Sequence, residues 1–243
     1  LQNCINEERI ATIVGWGLTV GTVVSGGLAL DLYQPGHVRR TMAKNPANTS
    51  LYVGEPNGRI TARAQRLAAM LNDIDTARAT DNLWGERWTK LCINGMRNGV
   101  SAATGMGGNE RDSHDAVRRV CIRLGGEAVR VGQALGYRLG KIGALDPEQL
   151  ARANEGDRAA LTEVERLMLE GTGSTARSDL QRPSMAQDMA KGRRTEIEFM
   201  NGFIAAKGAE AGVPAPTHAA LTETVLRVER GHLAPSPANV LWN

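Results

Sequence analysis

Lys90, Asn94 and Asn98 recur at four-residue intervals in the segment from Trp84 to Thr104. On one helix that spacing makes a single polar stripe, with Leu91, Cys92 and Ile93 projecting elsewhere. An ammonium partly withdrawn from water beside Trp84 and Trp88 gives up its proton more readily, which makes it a proton donor near neutral pH. The flanking amides can bind a carbonyl or a carboxylate. Lysine is seldom fully buried, so a solvated face of one Lys and two Asn fits the same spacing.

The second chemistry-bearing segment runs from Arg182 to Gly212. Ser184 with Gln187 three residues later, just after Pro183, has the form of a capping box, and Gly212 ahead of Pro214 has the form of a helix stop. One long helix is therefore expected. On it Glu196, Met200 and Phe203 share a face, which puts a carboxylate on an apolar stripe. Lys90 is a candidate partner for that carboxylate, and a surface pair with Arg193 is the alternative. Ser184 reads either as a ligand-binding hydroxyl or as a cap only.

The elements that must position these residues fall into two parts. From Ala11 to about Val53, short β-branched runs punctuated by glycine read as strands at Ile13-Val14, Thr19 to Val24, Leu28 to Leu32 and Ser50 to Val53. Past the Pro56-Asn57-Gly58 turn the text becomes helical. Helices are expected at Ile60 to Leu71, with Ala62, Leu67, Met70 and Leu71 near one face, and then at Trp84 to Asn98. Others are expected at His114 to Leu135, Asp146 to Ala153, Arg158 to Leu169, Ser184 to Ala211 and Pro216 to Glu229. Gly171 to Pro183 is polar and Gly/Ser/Thr-rich and reads as a surface loop. The expected architecture is α/β, a strand-rich unit over 1–80 followed by an all-α unit over 81–243.

Composition narrows the function classes. The 243 residues are 42% hydrophobic and 23% charged, enough for one large domain or two small ones. The 29 basic residues exceed the 26 acidic ones by three and are scattered, which gives no nucleic-acid footprint. Three separated cysteines, Cys4, Cys92 and Cys121, fit neither a disulfide framework nor a CxxC site, so a reducing cytoplasm is expected. No apolar run is long enough for a transmembrane helix, and no signal-peptide pattern is present. Leu1 lies in text that reads like mid-domain sequence and is taken as an artificial or fragmentary end. The four histidines lack ligand-like spacing, and Ser101, Ser113 and Ser174 lack a nucleophile-elbow context, so neither a metal site nor a hydrolase triad is expected.

Both segments resemble the motif regions of the ketopantoate reductase family. The first stands here as Trp88-Thr89-Lys90-Leu91 with Asn94 and Asn98. The second stands as Ser184-Met185-Ala186-Gln187-Asp188, then Arg194-Thr195-Glu196-Ile197-Glu198 and Asn201-Gly202, and the opening Leu1 to Glu8 resembles a third family segment. The resemblance implies a remnant of a Rossmann-type NADP-binding sheet followed by a helical domain like the C-terminal domain of 6-phosphogluconate dehydrogenase. It also implies NADPH-dependent reduction of 2-dehydropantoate to pantoate in pantothenate biosynthesis. Lys90 then matches the proton donor to the 2-oxo oxygen, Asn94, Asn98 and Ser184 the substrate-binding residues, and Glu196 a carboxylate near substrate and nicotinamide. Asn3 matches the asparagine at the nicotinamide end of the cofactor cleft.

Two departures stand out. Cys4 occupies the position where the family has glycine. The family's phosphate-binding turn, G-x-G-x-x-G, is missing, and Gly15-Trp16-Gly17 with Gly21 reads as a strand-and-turn feature instead, so this chain is expected to hold NADPH poorly. The expected partner is a small 2-oxo acid, with a homodimer as a further expectation. A sibling reductase of another 2-oxo acid or an imine, and a non-catalytic helical interaction module, remain open alternatives.

Overall fold

The computed structural model describes residues 4–25, 28, 30–40, 45–172 and 183–242. The chain divides into two compact units, Leu1–Lys90 and Leu91–Asn243, so the division falls within a helix rather than at the composition shift near residue 80.

The first unit opens with α1 (Glu7–Val14), then β1 (Gly21–Val24), the hairpin β2 (Leu30–Gln34) and β3 (His37–Arg40), and β4 (Leu51–Gly54). It continues through α2 (Ala62–Asn72) and β5 (Ala77–Thr80) into α3 (Leu83–Gly95). The main sheet has the order β1-β4-β5. β1 is antiparallel to β4 with Gly21 opposite Gly54, and β4 is parallel to β5 with Leu51 opposite Ala77. The β4–α2–β5 crossover is the element of a nucleotide-binding sheet that the resemblance predicts. A Cβ on Gly54 would stand 2.8 Å from the Leu83 Cβ, so the bare backbone there lets the start of α3 lie directly on the sheet.

Two expectations fail in this unit. Ile13 and Val14 end a helix rather than form a strand, and both are exposed. On α2 the buried positions are Ala64 and Ala68, packed with Val53 and flanked by Leu71, while Leu67 and Met70 face outward. Large side chains at i and i+3 mimic a core stripe, but the crossover packs too close to the sheet for anything larger than alanine. β5 (Ala-Arg-Ala-Thr) escapes sequence reading because it has no β-branched residue before Thr80.

The described elements of the second unit are mainly helices: α4 (Asn98–Thr104), α5 (Gly108–Ser113), α6 (Asp115–Ala134), α7 (Pro147–Asn154), α8 (Arg158–Glu170), α9 (Ser184–Ala190), α10 (Ile197–Glu210) and α11 (Pro216–Glu229). The side chains of His114, Asp146 and Asp157 accept from the first-turn N–H groups of α6, α7 and α8, which fixes where these helices start. α6 is the axis, with α7, α10 and α11 against it. Its buried Glu127 accepts the N–H groups of Thr217 and His218, capping α11 from a neighbouring helix, and burial pushes its carboxyl above the usual range. The chain end returns to α4, where Ser236 N–H and Asn239 Nδ2 both donate to the Ala103 carbonyl.

Both long helices expected over the motif regions are broken. Trp84 to Asn98 divides into α3 and α4 at Met96-Arg97, and Ser184 to Ala211 divides into α9 and α10 across 191–196. The stop at Gly212 holds: its φ of 70° lies in the left-handed region two residues past α10.

Candidate functional site

Lys90 and Asn94 stand four residues apart in α3, both half-buried. Asn98 does not continue their stripe. It is the first residue of α4 and is buried, offset by the break at Arg97 (φ −126°, ψ −47°). The expectation of one three-residue stripe is thus corrected to a pair on one helix and a single asparagine on the next.

Ser184 opens α9, but Pro183 is the cap residue and no side chain caps the helix, so the capping-box reading is wrong. The Ser184 side chain is exposed. Glu196 stands just outside its helix, at the cap position of α10, half-buried. The buried stripe of α10 is Ile197, Met200, Asn201, Ile204 and Gly208, so the expected Glu196–Met200–Phe203 face is not the core face. Phe203 instead lies under the Lys207 ammonium, 5.7 Å from its centroid, and the exposed ion pair at the start of this helix joins Arg194 to Glu198 at 2.7 Å. Thr195, next to Glu196, is anchored through its N–H and hydroxyl to the Glu229 carboxylate of α11 at 2.8 and 2.7 Å.

Within the second unit these residues belong to elements that meet at α4. α9 packs on α4. A Cβ on Gly99 would stand 2.9 Å from Ile197 Cδ1, so the chain neighbours of Asn98 and Glu196 touch. The packing thus brings the α9 helix that carries Ser184, and Ile197 next to Glu196, against the α4 helix that opens with Asn98.

Asn3 lies outside the described residues. Cys4, its neighbour, is buried and has φ 64°, the one non-glycine residue in the left-handed region among those described. That conformation costs an L-residue about 1–2 kcal/mol, which gives the physical reason for glycine there in the family pattern. Cys92 and Cys121 are buried thiols, and burial pushes Cys121 up to about 11, so neither is a nucleophile.

In such a crossover a pyrophosphate would sit on the helix N-terminus, here the β4–α2 turn. It does not fit. Glu55 follows β4, is buried and accepts the Thr61 hydroxyl, and Arg63 Nε donates to it at 2.7 Å. The Arg63 guanidinium holds this carboxyl below its usual range, so a second anion there would meet a fixed negative charge. Gly15-Trp16-Gly17 forms a 3-10 turn, Trp16–Leu18, behind α1, again no phosphate loop. A cavity of about 340 Å³ lined by Trp16, Glu55, Pro56, Arg63 and Trp84 contains none of the expected site residues.

Sequence reading missed a buried polar chain in the second unit. Asn201 Nδ2 donates to the Gly95 carbonyl at 2.8 Å and lies 3.0 Å from His218 Nδ1, and His218 Nε2 lies 2.8 Å from the Leu124 carbonyl. The carbonyl can only accept, so the imidazole carries its proton on Nε2 and presents a bare Nδ1 to the amide. A polar residue on an otherwise apolar helical stripe was the available signal.

Burial pushes His218 down to about 4 from its ordinary 6.5. Between those values the unfolded chain binds the extra proton, so stability rises with pH through this window, is complete above about 6.5 and is lost as pH falls toward 4. Wild type should lose roughly 2–3 kcal/mol more across it than His218→Gln. Urea melts of both at pH 5 and pH 7.5 measure the difference, and parallel losses would rule His218 out as the source.

Residues 82–229 match the family described as "Ketopantoate reductase PanE/ApbA C terminal". A 2-dehydropantoate 2-reductase of Archaeoglobus fulgidus is 29% identical over 95% of this chain and 67% of its own length. A crystal structure of 2-dehydropantoate 2-reductase from Geobacter metallireducens aligns with TM-score 0.71 and 25% identity over 93% of this chain and 66% of that one. D-mandelate dehydrogenase with NADH and anilino(oxo)acetate shares the fold at TM-score 0.71 and 23% identity, over 95% of this chain and 67% of that one. The chain thus spans about two thirds of the length of each. No described helix is long and apolar enough to cross a membrane, and no described His, Cys, Asp and Glu cluster could hold a metal ion. With the matched region covering more than half of its length and both motif segments inside it, the chain belongs to the ketopantoate reductase family.

Proposed function

We propose that this chain carries the acid-binding and proton-donating part of an NADPH-dependent reductase that converts 2-dehydropantoate to pantoate. The observation that carries the reading is the meeting at α4 of the elements bearing Asn98, Ser184 and Glu196, with Lys90 and Asn94 one turn apart on the preceding helix.

Reduction at C2 turns a neutral oxo group into a developing alkoxide. An ammonium hydrogen-bonds to that charge more strongly than to the ketone, so Lys90 lowers the barrier and then transfers its proton to the oxygen. The amides of Asn94 and Asn98 and the Ser184 hydroxyl donate to the acid's oxygens, and Glu196 accepts from a substrate hydroxyl. The Glu55–Arg63 pair occupies the β4–α2 turn, and the residues named here account for the oxo-acid end of the reaction, with Glu196 also near the nicotinamide.

Calorimetric titration of 2-dehydropantoate into the chain tests the reading, with pyruvate as a second 2-oxo acid and a parallel NADPH fluorescence titration. Saturable binding that prefers the branched acid is expected. Equal binding of both acids points to a sibling reductase, and binding of neither removes the proposal.

A further inference from the structure

An amide from outside reaches the two-residue break between α3 and α4. α3 ends at Gly95, and the Gly95 carbonyl accepts from Asn201 of α10. The second hydrogen of the same Nδ2 is directed at His218 of α11, which is fixed in turn by the Leu124 carbonyl of α6. The amide cannot turn over, because its oxygen would then face two acceptors, the Gly95 carbonyl and the bare His218 Nδ1.

Keeping this orientation leaves Asn201 Oδ1 buried without a hydrogen bond. Such an orphan costs about 1–3 kcal/mol, so the two N–H bonds are retained against a real opposing cost. The same oxygen would lie 3.3 Å from a Cβ on Gly99, and a Cβ on Gly95 would stand 2.9 Å from Ile204 Cδ1. Both glycines let α10 lie flat across the break. Inside the break the Arg97 N–H bonds back three residues to the Asn94 carbonyl at 3.1 Å, the tight turn that displaces Asn98 from the α3 stripe.

We propose that Asn201 is a positioning residue for the oxo-acid site: by holding the Gly95 carbonyl it fixes the break and so sets Asn98 relative to Asn94. The proposal rests on the reading of those two asparagines as acid-binding groups. Asn201 itself is buried in the helix packing and touches no substrate.

Asn201→Leu keeps the branched side-chain shape and removes both N–H donors, and Asn201→Ser replaces it should that variant fail to fold. Val164→Ala, in the core of α8, serves as a destabilised control. Amide hydrogen exchange at Met96, Arg97, Asn98 and Gly99 and the affinity for 2-dehydropantoate are read on all of them. The Asn201 variant is expected to accelerate exchange at the break about tenfold beyond its global change and to weaken acid binding about tenfold, while Val164→Ala does neither. Acceleration spread evenly over α6 and α7, or selective acceleration with unchanged affinity, overturns the positioning role. Selective acceleration in a chain whose wild type takes up no 2-dehydropantoate supports the hold of Asn201 on the break and counts against the substrate reading instead.

Discussion

Arg87→Leu is expected to destabilise the chain by about 3–5 kcal/mol, a large part of the margin of an ordinary domain. Arg87 of α3 donates through Nε to Glu7 of α1 at 2.8 Å and also through Nη2, and both side chains are 3% exposed. Removing the guanidinium leaves a carboxylate in a site closed to water. The effect is large because α1 has little else to hold it: only Glu7 and Ala11 are buried in that helix. The double variant Glu7→Leu/Arg87→Leu removes both charges and should recover much of the loss. Urea denaturation of the two single variants and the double one decides the matter. Strictly additive losses would mean that the pair is not coupled and that α1 is held some other way.

On the proposed reading, Lys90→Met should lower 2-dehydropantoate turnover by about 100- to 10,000-fold, the range general-acid groups supply. Lys90→Arg separates the two tasks of the ammonium. A guanidinium keeps the charge that attracts an oxo acid but does not release its proton near neutral pH, so acid binding should persist while turnover falls. Lys90 is half-buried, so both variants should fold. The paired measurement is the dissociation constant by calorimetry and NADPH consumption by absorbance. If Lys90→Met binds and turns over like the wild type, the solvated-face reading of Lys90 is the correct one.

What was legible in the sequence was mainly the existence of helices. The expected spans at 114–135, 146–153, 158–169 and 216–229 agree closely with α6, α7, α8 and α11, because Asp146 and Asp157 are strong caps and Pro216 marks a first turn. The breaks at Met96-Arg97 and 191–196 were illegible for a different reason. Local periodicity runs smoothly through Gly95 and Asn98, while the Gly95 carbonyl at the first break is met by a donor 106 residues away, in Asn201. Long-range hydrogen bonds of this kind leave no spacing to read. The same holds for the α2 face, where closeness to the sheet selected Ala64 and Ala68 over the larger Leu67 and Met70. For the site, residue types were recoverable and geometry was not: Ser184 and Glu196 sit at helix starts rather than on a shared helix.

The outer side of the first unit has practical weight at the bench. Ile13 and Leu18 are 86% and 77% exposed, and Trp16 between them is more than half exposed. Three such side chains within six residues, with Val14 beside them, make a wettable but sticky strip of the kind that drives reversible clustering of otherwise folded molecules. Salting-out agents strengthen apolar association, so ammonium sulfate should bring this chain down early, and a weakly lyotropic buffer with a mild detergent is the better storage medium. A dye that lights up in oily surroundings will glow with the native protein, so dye-based melting curves would start from a high baseline and misreport the transition.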